Sequence, residues 1–233
     1  MDYNLIYKKF PKSRKPLSNE YLRIYEEHYK DNREGKGLFN FLSSGMESWA
    51  HKIISKKKFE KSKILEVGAG TLNHLKYEKS FSEYDIVEPF KKLFNDNPEK
   101  KKINAIYDSI SKIENKQYDR IISIMTFEHL ENLPEVVEKC HELLKEDGLM
   151  QIAIPCEGEL AFKLGWKLTT GISFRLKYGL DYSTIMSHEH LNTQKEILIV
   201  LKNFFNIRKF QRSPFILPLK NLSFYSYIEC LKK

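Results

Sequence analysis

The sequence predicts an α/β fold in which a mostly parallel sheet is flanked by helices. The first observation is an apolar segment, Lys63–Gly68, which runs into a turn containing Gly68 and Gly70 and then into a predicted helix. The second is the alternation of strand and helix patterns up to about residue 155, which is typical of parallel sheets. The third is an acidic residue at the end of each of the first three strands. Ligands of open α/β sheets bind at these strand ends, so we expect a binding site there.

The chain of 233 residues is long enough for one full core. We predict that residues 1–60 form a helical N-terminal extension or cap, and that residues 61–233 form one ligand-binding α/β domain. Runs of apolar and β-branched residues between turn signals mark its strands. The predicted strands are Lys63–Gly68, Tyr84–Glu88, Asn104–Asp108, Tyr118–Met125 and Gly148–Pro155.

A helix is predicted between the last two of these strands, over Leu133–Lys145. Its apolar residues keep helical spacing, Pro134 stands in the first turn and Gly148 lies just past the end. Residues 157–187 then break the alternation, since they are aromatic, basic and irregular in pattern. We expect an insertion there, on the side where an acceptor substrate binds.

The C-terminal part of the chain is predicted to contain one more helix and two β segments. Thr193 and Glu196 have the spacing of a capping box that opens a helix over Gln194–Phe204. The β-rich segments Asn206–Phe215 and Asn221–Leu231 follow. The last one suits an antiparallel strand inserted at a sheet edge.

Composition narrows the class of protein. Apolar residues make up 41% of the chain, but no apolar run approaches the roughly 20 residues that a membrane span needs. The N-terminus lacks the apolar core of a signal peptide, so we expect a cytoplasmic protein with no membrane span. Three cysteines without a Cys-x-x-Cys pair argue against disulfides and zinc. The net charge of +8 comes from lysines that are scattered among glutamates. Since they form no continuous basic patch in the sequence, nucleic acid is not a favoured partner, but a negatively charged substrate is compatible with this charge.

Glu66 is the unusual residue of the first strand. A buried carboxylate is costly unless a cation or a hydrogen-bond donor meets it. The pyrophosphate of a dinucleotide would be repelled by Glu66, and Asn73 occupies the last position of the dinucleotide pattern G-x-G-x-x-G/A. A ligand with an ammonium group and a sulfonium would be attracted. This residue therefore favours S-adenosylmethionine over NAD as the cofactor.

Two further acids follow the next strands. Glu88 stands twenty positions after Gly68, a spacing at which an acid can accept hydrogen bonds from both ribose hydroxyls, although NAD sites share it. Asp108 could accept a hydrogen bond from the exocyclic amine of adenine. An acid at such a position, taken by itself, is more often the cap of a helix. Together with Glu66 they place three acids at the carboxyl ends of three successive strands.

Four segments resemble class I S-adenosylmethionine-dependent methyltransferases, in particular their small-molecule branch. The segments are Leu65–Gly70, Ile86–Glu88, Tyr118–Leu130 and Leu143–Leu149. The resemblance implies a Rossmann-like fold with a mixed, mostly parallel seven-stranded sheet. It also implies that Glu66, Gly68 and Gly70 line the methionine end of the cofactor. Leu72 departs from the family, which often has a third glycine there.

The same resemblance implies roles for residues after the later strands. Glu88 would hold the ribose, and Asp108 with Ser109 the adenine. The methyl side would be bordered by Met125, Thr126 and His129.

Three histidines are candidates for the base that removes a proton from the acceptor, namely His129, His188 and His190. On an extended segment His188 and His190 face the same side. A metal site is not predicted, because no third and fourth ligand is evident.

The acceptor is predicted from weaker signals. The insertion resembles a loop region of methyltransferases of bacterial surface-polysaccharide biosynthesis, which implies O-methylation of a saccharide or another small metabolite. The aromatic rings of the insertion, together with Lys163, Lys167 and Arg175, could bind a sugar that bears phosphate or a nucleotide. The same residues are equally compatible with a lid helix that only packs on the domain. The alternatives are an RNA methyltransferase, favoured by the basic charge, and a non-catalytic S-adenosylmethionine-binding protein. The oligomeric state is left open.

Overall fold

The computed structural model describes residues 3–25, 40–57, 59–213 and 223–233. Its strands are β1 Lys63–Val67, β2 Glu83–Val87, β3 Ala105–Tyr107, β4 Tyr118–Ile124, β5 Leu144–Pro155, β6 Phe205–Ser213 and β7 Tyr225–Lys232. They form one seven-stranded sheet in the order β3-β2-β1-β4-β5-β7-β6. The first five strands are parallel, and β7 runs antiparallel to β5 and β6. The predicted mixed, mostly parallel sheet is confirmed.

Helices lie on both sides of this sheet. They are α1 Tyr3–Tyr7, α2 Asn40–Ser55, α3 Leu133–Leu143, α4 Leu160–Trp166, α5 Ile172–Tyr178, α6 Tyr182–Glu189 and α7 Gln194–Phe204. Residues 19–25 are also helical. None of the helices in the described ranges is both long and apolar enough to cross a membrane.

The connections between the first four strands differ from the prediction. They contain short 3₁₀ turns, such as Leu75–Tyr77 after β1, where α-helices were expected. Leu72 has a positive φ of 66°, which a right-handed helix cannot contain, so the chain cannot enter a helix directly after the glycine turn. The predicted helix after Gly70 is therefore wrong.

Two predicted boundaries are wrong for a shared reason. The backbone of Leu144 pairs with Tyr118 on β4, so β5 begins four residues before the predicted Gly148. Because residue 144 already belongs to the sheet, α3 ends at Leu143 and not at the predicted Lys145. The other predicted strands within the described residues begin or end within one or two residues of the observed bounds, except that the last begins at Tyr225.

The C-terminal elements are close to the prediction. The helix Gln194–Phe204 is confirmed with both hydrogen bonds of its capping box. The closing strand is antiparallel as predicted, but it lies between β5 and β6, so that β6 is the edge strand. The predicted ends at Phe215 and Asn221 lie outside the described residues.

The segment after β5 is helical, although its sequence pattern is irregular. It forms α4, a π-helical turn over Lys167–Gly171, α5 and α6. Residues 3–25 are called the N-terminal segment below. Phe174 and Ile185 of the segment after β5 are buried against Ile24 of this N-terminal segment. The insertion and the N-terminal segment therefore pack on each other. The predicted division of the chain at residue 60 stays a prediction.

The core has two layers, one on each face of the sheet. Ile121 on β4 packs with Val137 of α3 and Val200 of α7. Its neighbour Ile122 points to the opposite face and packs with Ile54 of α2. Alternate residues of a strand point to opposite faces, so a strand buried on both faces reads as one continuous apolar run.

A buried ion pair crosses one of these layers. Arg120 is fully buried on β4 and donates to Glu78 from both terminal nitrogens, at 2.9 and 3.1 Å. Its Nε donates to Gln151 Oε1 at 3.1 Å. Burial acts to raise the pKa of Glu78, but hydrogen bonds from His74 and Arg120 outweigh burial and lower it. The pair thus fixes the loop after β1 on the sheet.

Replacing Arg120 by methionine is expected to lower the free energy of unfolding by about 3–5 kcal/mol, because Glu78 would be left buried without its cation. The variant Arg120→Met/Glu78→Gln should recover part of that loss, since no charge is then buried. Urea denaturation of the two variants and the wild type measures both effects. A single variant within about 0.5 kcal/mol of wild type would show that the pair does not hold this loop.

Candidate active site

A cleft of about 650 Å³ opens at the carboxyl ends of β1, β2 and β4. Eight residues predicted from the sequence line it, which are Glu66, Gly68, Gly70, Glu88, Met125, Thr126, His129 and His188. Three predicted residues do not line it, which are Asp108, Ser109 and His190. The structure therefore brings together most of the predicted cofactor-binding residues and two of the three candidate bases.

The glycine turn after β1 forms one wall of the cleft. Gly68 has a positive φ of 78°, and a Cβ atom built on it would lie 2.2 Å from the Oγ1 atom of Thr126. Its N–H donates to the carbonyl of Val87 at 2.9 Å, and the N–H of Gly70 donates to Oε2 of Glu88 at 2.8 Å. The turn is thus bound to the end of β2, and only glycine fits at position 68.

Leu72 occupies the position at which the resembling family often has a third glycine. It adopts the left-handed conformation that glycine prefers, with φ of 66°, and its side chain is buried in the core. A leucine in this conformation is strained, and the packing of its side chain in the core holds it there.

Glu66 lies at the floor of the cleft and is 2% exposed. The hydroxyl of Tyr84 donates to its Oε2 at 2.7 Å. Burial raises the pKa of Glu66 to about 8, and the nearby acids Glu78 and Glu88 add to that effect while Tyr84 opposes it. The carboxyl group is therefore mostly protonated at neutral pH, and a cation bound in the cleft would favour its ionised form.

Glu88 is held by backbone donors on two sides. One carboxylate oxygen accepts from Gly70 and the other accepts from the N–H of Phe90 at 2.9 Å. Each oxygen of a carboxylate can accept a further hydrogen bond. The buried side chain is therefore positioned to accept from ribose hydroxyls, and this role stays a prediction.

Asp108 and Ser109 follow β3 on the outside of the cleft. The carboxylate of Asp108 pairs with Lys91 at 2.9 Å and with Lys112 at 3.0 Å. Hydrogen bonds from these two lysines lower the pKa of Asp108. The Ser109 hydroxyl accepts from the N–H of Ser111 and so caps a 3₁₀ turn. The structure thus brings two of the three predicted acids together, and the lysines hold the third at the surface.

His129 closes the 3₁₀ turn after β4, at the opposite side of the cleft from β2. Its Nδ1 lies 2.9 Å from the backbone carbonyl of Glu189. A carbonyl oxygen can only accept, so Nδ1 carries the proton and the neutral ring keeps its lone pair on Nε2. This nitrogen is the atom that could take a proton from an acceptor.

The prediction that His188 and His190 share one side of an extended segment is wrong. His188 lies in the last turn of α6 and His190 directly follows that helix. His188 lines the cleft, and its Nδ1 donates to the carbonyl of Lys15 at 2.6 Å. His190 lies behind His129, with ring centroids 4.9 Å apart, and its Nδ1 is 3.0 Å from the Oε2 atom of Glu157.

The N-terminal segment supplies cleft residues that the sequence does not reveal. Arg14 donates to the carbonyls of His129 and His188, each at 3.2 Å. Arg14 and the hydroxyl of Tyr25 both contact Oε1 of Glu189. The unpredicted lining residues include Arg14, Tyr25, His51 and Glu189. Arg14 stands in a run of basic residues, so no local pattern marks it.

Glu128 is fully buried beside the candidate base. Its Oε1 lies 3.7 Å from Nε2 of His129, and its Oε2 has no hydrogen-bond partner within the described part of the chain. Burial raises the pKa of Glu128 to about 7. The buried carboxyl group of Glu128 thus lies next to the ring nitrogen that could take a proton.

A family model described as "Methyltransferase domain" matches residues 40–198. This range includes the whole of the glycine turn and both buried acids of the cleft. No curated protein sequence matches the chain.

Solved structures with the same fold share little sequence with this chain. Magnesium protoporphyrin IX methyltransferase from Synechocystis PCC 6803, with bound SAH, has 12% identity and a TM-score of 0.62, with 93% of this chain and 100% of that chain covered. The N-methyltransferase NodS from Bradyrhizobium japonicum WM9, in complex with S-adenosyl-L-homocysteine, has 12% identity and a TM-score of 0.57. The match covers 92% of this chain and 99% of that chain. A possible histamine N-methyltransferase from Thermotoga maritima has 14% identity and a TM-score of 0.56. The match covers 93% of this chain and 100% of that chain.

Replacing Gly68 by alanine is expected to destabilise the protein more than replacing Gly179. Both residues have positive φ, but a Cβ atom at Gly179 would meet nothing within 4 Å. The loss at Gly179 should be about 1 kcal/mol, and Gly68→Ala should cost about 1–3 kcal/mol more because of the clash with Thr126. Urea denaturation compares the two variants. Equal losses would show that Thr126 does not constrain the turn.

The buried carboxyl group of Glu128 should make stability depend on pH. Its folded-state pKa of about 7 lies above the usual value, so the native state binds more protons than the unfolded state between these two values. The free energy of unfolding of wild type, minus that of Glu128→Gln, should fall by up to roughly 3 kcal/mol as pH rises from about 5 to about 8.

Urea denaturation at several pH values measures this difference. Glu60→Gln serves as a control, because Glu60 is exposed and its difference from wild type should stay flat. A difference for Glu128→Gln that does not change with pH would contradict the raised pKa.

Proposed function

The chain belongs to the methyltransferase domain family, and on that basis we propose that it transfers the methyl group of S-adenosylmethionine to an oxygen of a small metabolite, with a saccharide as the favoured acceptor. The observation that carries the proposal is the pair of buried acids, Glu66 and Glu88, which line one cleft beside the glycine turn. Acids suit the ammonium and ribose groups of this cofactor and would repel a pyrophosphate.

The residues of the cleft fit the cofactor by their chemistry. Glu66 would face the cationic end, and Glu88 would accept hydrogen bonds from the ribose. The backbone at Gly68 and Gly70 allows close approach of a ligand. When bound, S-adenosylmethionine supplies a sulfonium methyl carbon, which an acceptor oxygen attacks while the carbon–sulfur electron pair leaves on sulfur.

His129 is the base that we propose for this reaction. The proton of the acceptor hydroxyl would pass to its Nε2, because the carbonyl of Glu189 holds the other ring nitrogen as a donor. The positive charge that forms on the ring would be stabilised by Glu128 and Glu189, whose carboxylate oxygens lie 3.7 and 3.4 Å from its ring nitrogens. His188 and His190 would support the site, since each is fixed by its own Nδ1 hydrogen bond.

The N-terminal segment and α6 would position the reactants and keep water out. Arg14 joins the loop that holds His129 to the end of α6. Tyr25 packs against His188 with ring centroids 5.5 Å apart. Alignment and exclusion of water are the main contributions that a protein makes to a methyl transfer of this kind.

Incubation with radiolabelled S-adenosylmethionine and fractionated cell extract tests the proposed acceptor class. We expect label in the fraction of saccharides and small metabolites. Label in RNA would favour the second candidate, which the net charge of +8 suggests and which predicts steeply salt-dependent binding. Cofactor binding without label in any fraction would contradict enzymatic activity.

Replacing His129 by alanine should lower kcat by about 10²–10⁴-fold with the acceptor so identified, because a general base is lost. The affinity for S-adenosylhomocysteine should change little, as measured by calorimetry. The dependence of the rate on pH should differ between wild type and the variant, because the variant lacks the group that would take the proton.

A matched control is His141→Ala, since His141 lies on α3 outside the cleft. It should keep both kcat and the pH profile. A His129→Ala variant with the wild-type pH profile would exclude His129 as the base.

A further inference from the structure

A second cavity, of about 870 Å³, adjoins the cleft, and we name it the lysine cavity. The N-terminal segment forms one wall, and the helices that follow β5 form the other. Five lysines line it, which are Lys9, Lys12, Lys15, Lys163 and Lys167. They come from parts of the chain that are far apart in sequence, so the fold gathers them in one place.

Among the described residues, only two of these five lysines form an ion pair with a carboxylate. Lys9 and Lys12 share one carboxylate, that of Glu196, at 3.7 and 2.9 Å. Within residues 3–25, 40–57, 59–213 and 223–233, no carboxylate oxygen lies within 4.0 Å of the ammonium groups of Lys15, Lys163 and Lys167. Glu157 also lines the cavity, and its Oε2 lies 3.0 Å from His190. Three lysines of the same cavity thus lack an ion-pair partner among these residues.

The lysine cavity and the cofactor cleft meet at a shared wall. Neighbouring residues of the N-terminal segment divide between them, with Arg14 lining the cleft and Lys15 the lysine cavity. The histidines divide in the same way, because His129 lines the cleft and His190 the lysine cavity, with ring centroids 4.9 Å apart. A molecule bound in the lysine cavity would therefore lie next to the proposed base.

We propose that the lysine cavity binds a phosphate or diphosphate group of the methyl acceptor. This assignment rests on the proposed function and narrows its substrate to a phosphorylated small molecule. Lysine ammonium groups bind phosphate as point charges, and Lys15, Lys163 and Lys167 would attract an anion that enters the cavity. Trp166 lines the same cavity, and the ammonium group of Lys167 lies 6.0 Å from the centroid of its ring.

Calorimetry of the full-length protein with inorganic pyrophosphate tests this assignment. The double variant Lys163→Ala/Lys167→Ala should bind pyrophosphate about tenfold more weakly than wild type, because two cations of the site are lost. The matched control is Lys195→Ala/Lys202→Ala, which removes the same charge from two exposed lysines of α7 outside the cavity. The control should bind pyrophosphate like wild type, and all three proteins should bind S-adenosylhomocysteine equally.

Several results would overturn the assignment. They are the absence of pyrophosphate binding by wild type, an equal loss in both double variants, and a random single-stranded RNA that binds more tightly than pyrophosphate through Lys163 and Lys167. Wild-type protein that fails to bind S-adenosylhomocysteine would contradict the proposed function. Intact binding of that ligand without lysine-dependent pyrophosphate binding would overturn the assignment of the cavity alone.

Discussion

The burial of the Glu66 carboxyl group is the constraint on which the account of the cleft depends. It lies on a central strand of the sheet, with β2 on one side and β4 on the other. Its side chain is buried, and the hydrogen bond from Tyr84 only partly offsets the cost of ionisation, so burial raises its pKa to about 8. Arg120, a buried cation of the core, is already paired with Glu78. Under the proposed function, the cofactor would bring a positive charge to this carboxyl group and favour its ionised form.

The residues around Glu66 form two halves of the cleft, which are built from different parts of the chain. The glycine turn and Glu88 are fixed to each other by backbone hydrogen bonds within the sheet, which gives a rigid half of the cleft. The other half is built from His129 and from α6, which Arg14 joins to one another. In this second half the N-terminal segment and the helices after β5 enclose both the proposed base and the lysine cavity. Under the proposed function, cofactor binding and acceptor choice would thus depend on different parts of the chain.

Much of the fold and half of the site follow from local patterns. The sheet, α7 with its capping box and the positions of Glu66 and Glu88 are predictable because strand ends and helix caps leave clear signals. The start of β5 at Leu144 is not, because a register shift opposite Tyr118 decides it. Surface lysines hold Asp108 outside the cleft, and contacts over 115 to 175 residues bring in Arg14. Such side-chain contacts between distant segments leave no periodic trace in a sequence.

The most direct test of the account is the number of protons released when S-adenosylmethionine binds. Calorimetry at pH 7 in two buffers with different ionisation enthalpies measures that number. If the cation ionises Glu66, wild type should release close to one proton per bound ligand, because its carboxyl group is mostly protonated beforehand. The variant Glu66→Gln should bind more weakly and release none. Equal proton release by wild type and the variant would contradict the central role of this residue.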